Sequence, residues 1–573
     1  MLSFVGVGPG DPELLTLAAL RTLQAADEIA VADSGAGESV VLRIIRNHIA
    51  GKPVSHLRIP MGAREDWAAA AAGLRKLALV PPQSARLWLE LSYAESFLGH
   101  YRAAKEAAGK AKSLPLQARD DVTDLLARLR TFNDAAGVRM VARGLLEAPR
   151  AEPVLLATSA VQLSNLNDHP LALECAERAV VLDPSSIAAR MARGQMRAQH
   201  GDLARAEEDF SWCVGRVPGL MPAWWGLSRL RRQTPESNHA GTLRALLSRG
   251  GLSAADTAYG AFALHKELDD LGDVPGAWQA LQQGCTAKRS MLRYDAAETR
   301  ALIDALQEDR RPPPTAATAS TDGVVPIFIV GMHRSGTTLL EQLLDASGQV
   351  LGVGELYDFT SALRDAADHH CKGVTDRIVI EKARQSDLLE VGRQYLSGVA
   401  WRLGGMRFFT DKLPSNFLNA GFICRALPQA KILHLVRDPL ETCFSNLREL
   451  FSDANPYSYD QLELANYFIQ YRRLMTHWHG MYPGRILDVS YSRLVQDTET
   501  TMREVATFCG IEYRDSMRDP RSSRRSVATA SAVQVREGVV WRERPKWAPY
   551  AEYLQPLINA LRAGGVDVAG RGP

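Results

Sequence analysis

The stretch PIFIVGMHRSGTTLLEQLL, residues 326–344, reads as three consecutive pieces of structure. Pro326–Val330 is a short, uninterrupted apolar run, the pattern of a strand buried on both faces. Gly331 and Gly336 bracket a turn, and Leu339–Leu344 resumes with helical spacing. Strand, glycine turn and helix N-terminus in that order make an anion site. Unpaired backbone N–H groups and the positive end of the helix dipole then face one point. Gly331 and Gly336 let the backbone curl round the anion, while Ser335, Thr337 and Thr338 bring hydroxyls to the same loop. The glycines keep the spacing of a triphosphate-binding loop, but Thr337 stands where that loop carries lysine. Without the lysine that serves β- and γ-phosphates, and with Arg334 inside the loop, the expected ligand lacks a γ-phosphate.

Three further segments carry polar groups at the ends of apolar runs. Lys431–Val436 is a second strand, followed by Arg437-Asp438-Pro439 and a helix through Ser445. Arginine offers a bidentate fork to phosphate and a serine hydroxyl adds a directed donor. His434, inside that strand, reads as a satisfied core histidine. Between the two strands, Leu351–Leu356 (LGVGEL) ends on the carboxylate of Glu355, and Thr410–Asn416 (TDKLPSN) sets Lys412 beside a proline-fixed turn.

Together these segments resemble the sulfotransferases that use 3′-phosphoadenosine-5′-phosphosulfate. Residues 326–344 are similar to their 5′-phosphosulfate loop, although many relatives have proline where this chain has His333, which is expected to cap the turn or face solvent. Residues 431–445 are similar to the 3′-phosphate element, which implies Arg437 and Ser445 on that phosphate. In tyrosylprotein-type and related repeat-bearing members a glutamate in a G-E context is the proposed base, which implies that role for Glu355. The D-K-x-P likeness implies that Lys412 neutralises the bridging oxygen as sulfuryl leaves, with Arg334 as the second clamp. A loose transition state needs that electrostatic help more than covalent help. Ile486–Tyr491 implies Tyr491 near the nucleotide phosphate, and Thr529–Arg536 with Lys546-Trp547 implies Ser531 and Lys546 closing over the nucleotide. The resemblance covers about Pro326–Leu561. It implies an α/β fold, a P-loop-like parallel sheet with helices on both faces and the nucleotide across the strands' carboxyl ends. It also implies the phosphosulfate nucleotide as co-substrate, no metal, and an acceptor hydroxyl on a protein tyrosine, a glycan or a small molecule.

Upstream, residues 66–307 read as an all-α array. Asp168 and Asp202, Ala172 and Ala206, and Pro184 and Pro218 each lie 34 apart (202−168, 206−172, 218−184), with two helices per unit. That period resembles the tetratricopeptide repeat. Such a scaffold suits a protein partner or a homodimer. Val5–Leu17, VGVGPGDPELLTL, is similar to the opening of the tetrapyrrole methyltransferases, a likeness that ends near Met61 and suggests a truncated remnant over residues 1–65. A strand at Leu2–Val7 and a helix at Leu14–Ala26 are expected there. Residues 308–325, rich in Pro, Ala, Thr and Ser, form the expected linker, and the catalytic domain spans 326–565.

Bulk properties exclude several alternatives. At 573 residues the chain exceeds one hydrophobic core. A formal net charge of +2 gives no reason to expect nucleic acid or a membrane surface. Seven dispersed cysteines without C-x-x-C spacing argue against a disulfide framework or structural zinc. The N-terminus has no secretory pattern, and the chain is expected to be cytoplasmic without a membrane span. The rival readings are a P-loop kinase, a non-catalytic repeat scaffold with a nucleotide fold, and a methyltransferase resting on residues 1–65.

Overall fold

The computed structural model describes residues 29–33, 54–58, 64–81, 83–309, 311, 323–523, 538–541 and 544–568. The strand and helix expected at Leu2–Val7 and Leu14–Ala26, most of the linker, and Ser531 lie outside them. The chain divides into two compact units, Met1–Gly137 with Asp368–His370, and Val138–Ala367 with Cys371–Pro573.

In the first unit, strands β1 (Ile29–Asp33) and β2 (Val54–Arg58) pair in parallel. Helices Arg64–Ala78, Ala85–Leu98, Tyr101–Lys112 and Arg119–Thr131 follow. Ala71, Leu87, Leu91, Ala94 and Ala107 form a small core. Its alanines, with their small side chains, let the paired helices approach closely.

The second unit begins as antiparallel helix pairs whose period matches the sequence reading. Helices Pro153–Asn165 and Ile187–His200 start 34 residues apart (187−153), as do His169–Leu182 and Leu203–Arg216 (203−169). Asp168 and Asp202 are the N-cap residues of the second helices, and Ala172 and Ala206 are fully buried at the crossings. Between Ile187–His200 and its partner, Gly201 takes a left-handed φ of 89°, the conformation a helix C-terminus needs and glycine adopts without strain.

The later helices continue into the α/β part through one shared core. Phe262, Trp278 and Leu281 of the array lie in the same cluster as Phe444, Leu464 and Tyr550. Polar ties reinforce it: Arg289 forks onto Glu463 at 2.8 Å through both Nε and Nη2, and Tyr550 donates to Asp269 at 2.6 Å. Arg448 pairs with the same Asp269.

Five strands form the larger sheet: β3 (Val325–Gly331), β4 (Val350–Gly352), β5 (Phe408–Asp411), β6 (Lys431–Val436) and β7 (Ile486–Ser490). Their order is β4-β5-β3-β6-β7 and every pairing is parallel. All seven residues of β3 are buried. Alternate side chains enter different cores, Phe328 and Val330 on one face, Ile327 and Ile329 on the other. This period of two, with helices covering both faces, explains why the strand reads as a continuous apolar run. The chain leaves the central strand β3 toward β4 on one side and later reaches β7 on the other, so a crevice opens at the carboxyl ends.

Candidate functional site

The loop after β3 is shaped by three residues at positive φ: Gly331 at 153°, Arg334 at 67° and Gly336 at 108°. Close packing as well as conformation requires glycine at two of them. A Cβ at Gly331 would sit 2.9 Å from the Leu435 carbonyl, and one at Gly336 only 2.4 Å from the Tyr491 ring. Gly336 also caps helix Thr337–Asp345, in whose first turn Thr337 and Thr338 are buried. Ser335 Oγ is buried and has no hydrogen-bond partner among the described residues. It lines a narrow cleft with Met332, Arg437, Thr442 and Tyr471. We expect Gly336→Ala to lose binding of a phosphorylated nucleotide and to cost about 1–3 kcal/mol of stability, from strain and from the displaced Tyr491. Paired calorimetric titration and thermal unfolding check both.

Around this loop the structure gathers residues from β6 and β7. Arg437, directly after β6, donates from Nη1 to the Arg334 carbonyl at 2.9 Å and from Nη2 to Glu441 at 2.6 Å. Its guanidinium stacks over Tyr491, 4.6 Å from the ring centre. The Asp438 carboxylate beside it caps helix Pro439–Leu447. Arg334 donates from Nε to Ser445 Oγ at 3.3 Å and lies 3.7 Å from Glu449, which meets Arg229 of the helical array at 3.4 Å. Burial lowers the Arg334 pKa below the usual arginine value, and Glu449 opposes the shift. Lys546 joins through its backbone, whose N–H donates to Glu441 at 2.9 Å, while its side chain is exposed.

A second group lies at the ends of β4 and β5. Lys412 is 1% exposed, and its Nζ donates to Glu355 Oε1 at 2.7 Å, whose side chain is 37% exposed. Glu355 follows a short strand, and two contacts hold its backbone: Lys412 N–H donates to the Gly354 carbonyl at 2.9 Å, and Asn167 of the array donates to the Glu355 carbonyl at 2.8 Å. Thus Arg334, Arg437, Ser445 and Tyr491 form one cluster, and Glu355 with Lys412 another. His333 links them. Its ring nitrogens lie 3.2 Å from the hydroxyls of Ser415 and Tyr457, and burial lowers its pKa to about 4, leaving it neutral. The ring is only partly exposed, and its nitrogens meet these two hydroxyls rather than capping the turn. His434 is the satisfied core histidine expected, bonded to Asp488 and Tyr471.

Sequence reading passed over several supports. Glu341, fully buried, accepts from the Gly354 N–H and the Thr410 hydroxyl, each at 2.9 Å, and so ties the loop helix to β5 and to the Glu355 turn. A carboxylate between the leucine pairs of LLEQLL was the available signal. Asn446 donates to the His333 carbonyl at 2.6 Å. Asp411 is fully buried and accepts from Tyr395 at 3.1 Å; burial pushes its carboxyl well above the usual range, and Asp358 adds to the effect. An acid raised in the folded state takes up a proton on folding once pH exceeds its unfolded value of roughly 3.9. Its contribution therefore favours the fold least at high pH. We expect Asp411→Asn to narrow the fall in Tm between pH 5 and pH 8, measured by calorimetry at both.

Residues 326–515 match the sulfotransferase family, 163–248 the tetratricopeptide repeat, and 1–87 the tetrapyrrole (corrin/porphyrin) methylases, a match that runs past Met61. An uncharacterized Aquifex aeolicus protein is 30% identical over 332 residues, 56% of this chain and 44% of that protein. Protein-tyrosine sulfotransferase 2 of Gallus gallus is 28% identical over 213 residues, 33% of this chain and 52% of its own. The chain thus spans about half the length of these curated relatives. Among solved structures, the sulfotransferase domain of the Synechococcus PCC 7002 olefin synthase is 21% identical, covering 45% of this chain and 97% of that one with a TM-score of 0.30. The chain carries a sulfotransferase domain behind tetratricopeptide repeats. No helix among the described residues is long and apolar enough to cross a membrane.

Proposed function

We propose that this chain transfers a sulfuryl group from 3′-phosphoadenosine-5′-phosphosulfate to an acceptor hydroxyl, on a protein tyrosine, a glycan or a small molecule. The carrying observation is the Lys412–Glu355 pair at the strand ends, on a sheet whose glycine loop lacks the triphosphate lysine. In this reading the loop N–H groups, Ser335, Thr337 and Thr338 hold the 5′-phosphosulfate. Arg437 and Ser445 hold the 3′-phosphate, with Tyr491 against the loop and Ser531 and Lys546 closing over the nucleotide. Glu355 takes the acceptor proton as the acceptor oxygen bonds to sulfur. The bond from sulfur to the bridging oxygen breaks, and adenosine 3′,5′-bisphosphate leaves with that electron pair. Lys412, released as Glu355 becomes neutral, meets the charge growing on the bridging oxygen, and Arg334 adds positive charge from the Ser445 side. Nothing in this sequence of steps calls for a metal.

The repeats are proposed to present a protein or peptide acceptor or to pair two copies. Division into segments 1–65, 66–307, 308–325 and 326–565 belongs to the same proposal. So does a cytoplasmic setting, supported by seven cysteines that are all free thiols and buried. Titration with adenosine 3′,5′-bisphosphate, compared with ATP and magnesium, tests the reading. Binding of the bisphosphate and none of ATP is expected; preference for ATP, or no binding of either, overturns it.

A further inference from the structure

At the far edge of the catalytic sheet, three side chains outside the proposed nucleotide site converge. His434 on β6 and Asp488 on β7 are register partners, and His479 comes from the last turn of helix Gln461–Met481. His434 Nδ1 and His479 Nε2 each lie 2.7 Å from the same oxygen, Asp488 Oδ1. All three donor atoms are within 4.8 Å of one another. We propose that His434, His479 and Asp488 bind a borderline divalent transition metal ion of the Zn²⁺ class.

The donor set selects the ion. Two imidazole nitrogens and one carboxylate oxygen suit Zn²⁺, Ni²⁺, Co²⁺ or Cu²⁺, whereas Mg²⁺ and Ca²⁺ prefer all-oxygen shells. Metal–ligand bonds of about 2.0–2.2 Å in a tetrahedron set donor atoms roughly 3.3 Å apart. The two 2.7 Å contacts need open by only about half an ångström to admit the ion, within reach of side-chain adjustment on ordered elements. The exposure gradient leaves one side open: the His434 side chain is 4% exposed, His479 35% and Asp488 53%. Water can complete the shell from that side. The inner side already carries an outer partner, since the remote His434 nitrogen meets the Tyr471 hydroxyl. Such a partner fixes the ring and tautomer of a metal-bound histidine. Tyr471 and His479 lie eight residues apart, on the same face of their helix. The seven cysteines are all buried and offer no competing surface thiol.

Calorimetric titration of the full-length, tag-free chain with ZnCl₂ tests the site, supported by the visible spectrum of the Co²⁺ form. One equivalent should bind, with four-coordinate d–d bands for Co²⁺. His479→Ala and Asp488→Asn, both at partly exposed positions, should abolish binding while keeping the metal-free Tm. Tyr471→Phe, which removes only the outer hydroxyl, should weaken binding roughly 10- to 100-fold. Absence of saturable Zn²⁺ binding overturns the proposal, as does binding that survives unchanged in His479→Ala and Asp488→Asn. Neither outcome depends on nucleotide or sulfuryl transfer.

Discussion

Glu355→Gln is expected to lower the rate of sulfuryl transfer by about 10²- to 10⁴-fold, the usual contribution of a positioned general base, with nucleotide affinity nearly intact. The substitution keeps the shape and a hydrogen-bond acceptor for Lys412, whose Nζ now meets Glu355 Oε1 at 2.7 Å. What it removes is the capacity to take a proton. The backbone at this position is held independently by Asn167 and by the Lys412 N–H, so the turn should not move. Single-turnover measurements with saturating donor separate the chemical step from binding. An unchanged rate would mean that another group takes the proton, and the pairing with Lys412 would be only an ion pair.

Arg437→Ala should weaken binding of adenosine 3′,5′-bisphosphate by about 10- to 100-fold, the range expected for losing hydrogen bonds to a charged group. Adenosine 5′-phosphosulfate, which lacks the 3′-phosphate, should lose much less. The contrast between the two ligands matters because Arg437 also supports the loop through the Arg334 carbonyl and the Tyr491 ring. A purely structural arginine would weaken both ligands equally. Arg437→Lys should recover part of the loss, since lysine restores the charge without the fork. Calorimetric titrations of the two ligands against the three proteins check the pattern.

These two positions show what was legible along the chain. Arg437 and Glu355 each end a strand, and strands followed by glycine or proline turns leave signals a few residues long. Pro326–Val330, Lys431–Val436 and Ile486–Tyr491 are short strand-like runs whose boundaries match β3, β6 and β7 to within a residue. The repeat was equally local in character, because its 34-residue period survives in the helix starts themselves. His333 was different. Its surroundings come from Ser415 and Tyr457, 82 and 124 residues further on, and no local pattern could bring its ring to those hydroxyls.

Sequence by itself therefore determined the parallel sheet, the glycine loop after β3, the helical repeats and the residues at the strand ends. Each is written in a short period or in a backbone requirement of glycine and proline. Tertiary structure alone decided which of those residues share a space. Arg334 faces Ser445 and Glu449, and Lys412 faces Glu355. The helical array supplies Asn167 to the Glu355 turn and Arg229 to Glu449. Buried Glu341 and the His434–Asp488–His479 cluster likewise exist only once β3 to β7 and their covering helices have packed. Side-chain pairing across distant segments follows from burial: a polar group carried inside by its apolar neighbours must find its partner there, whatever its distance along the chain.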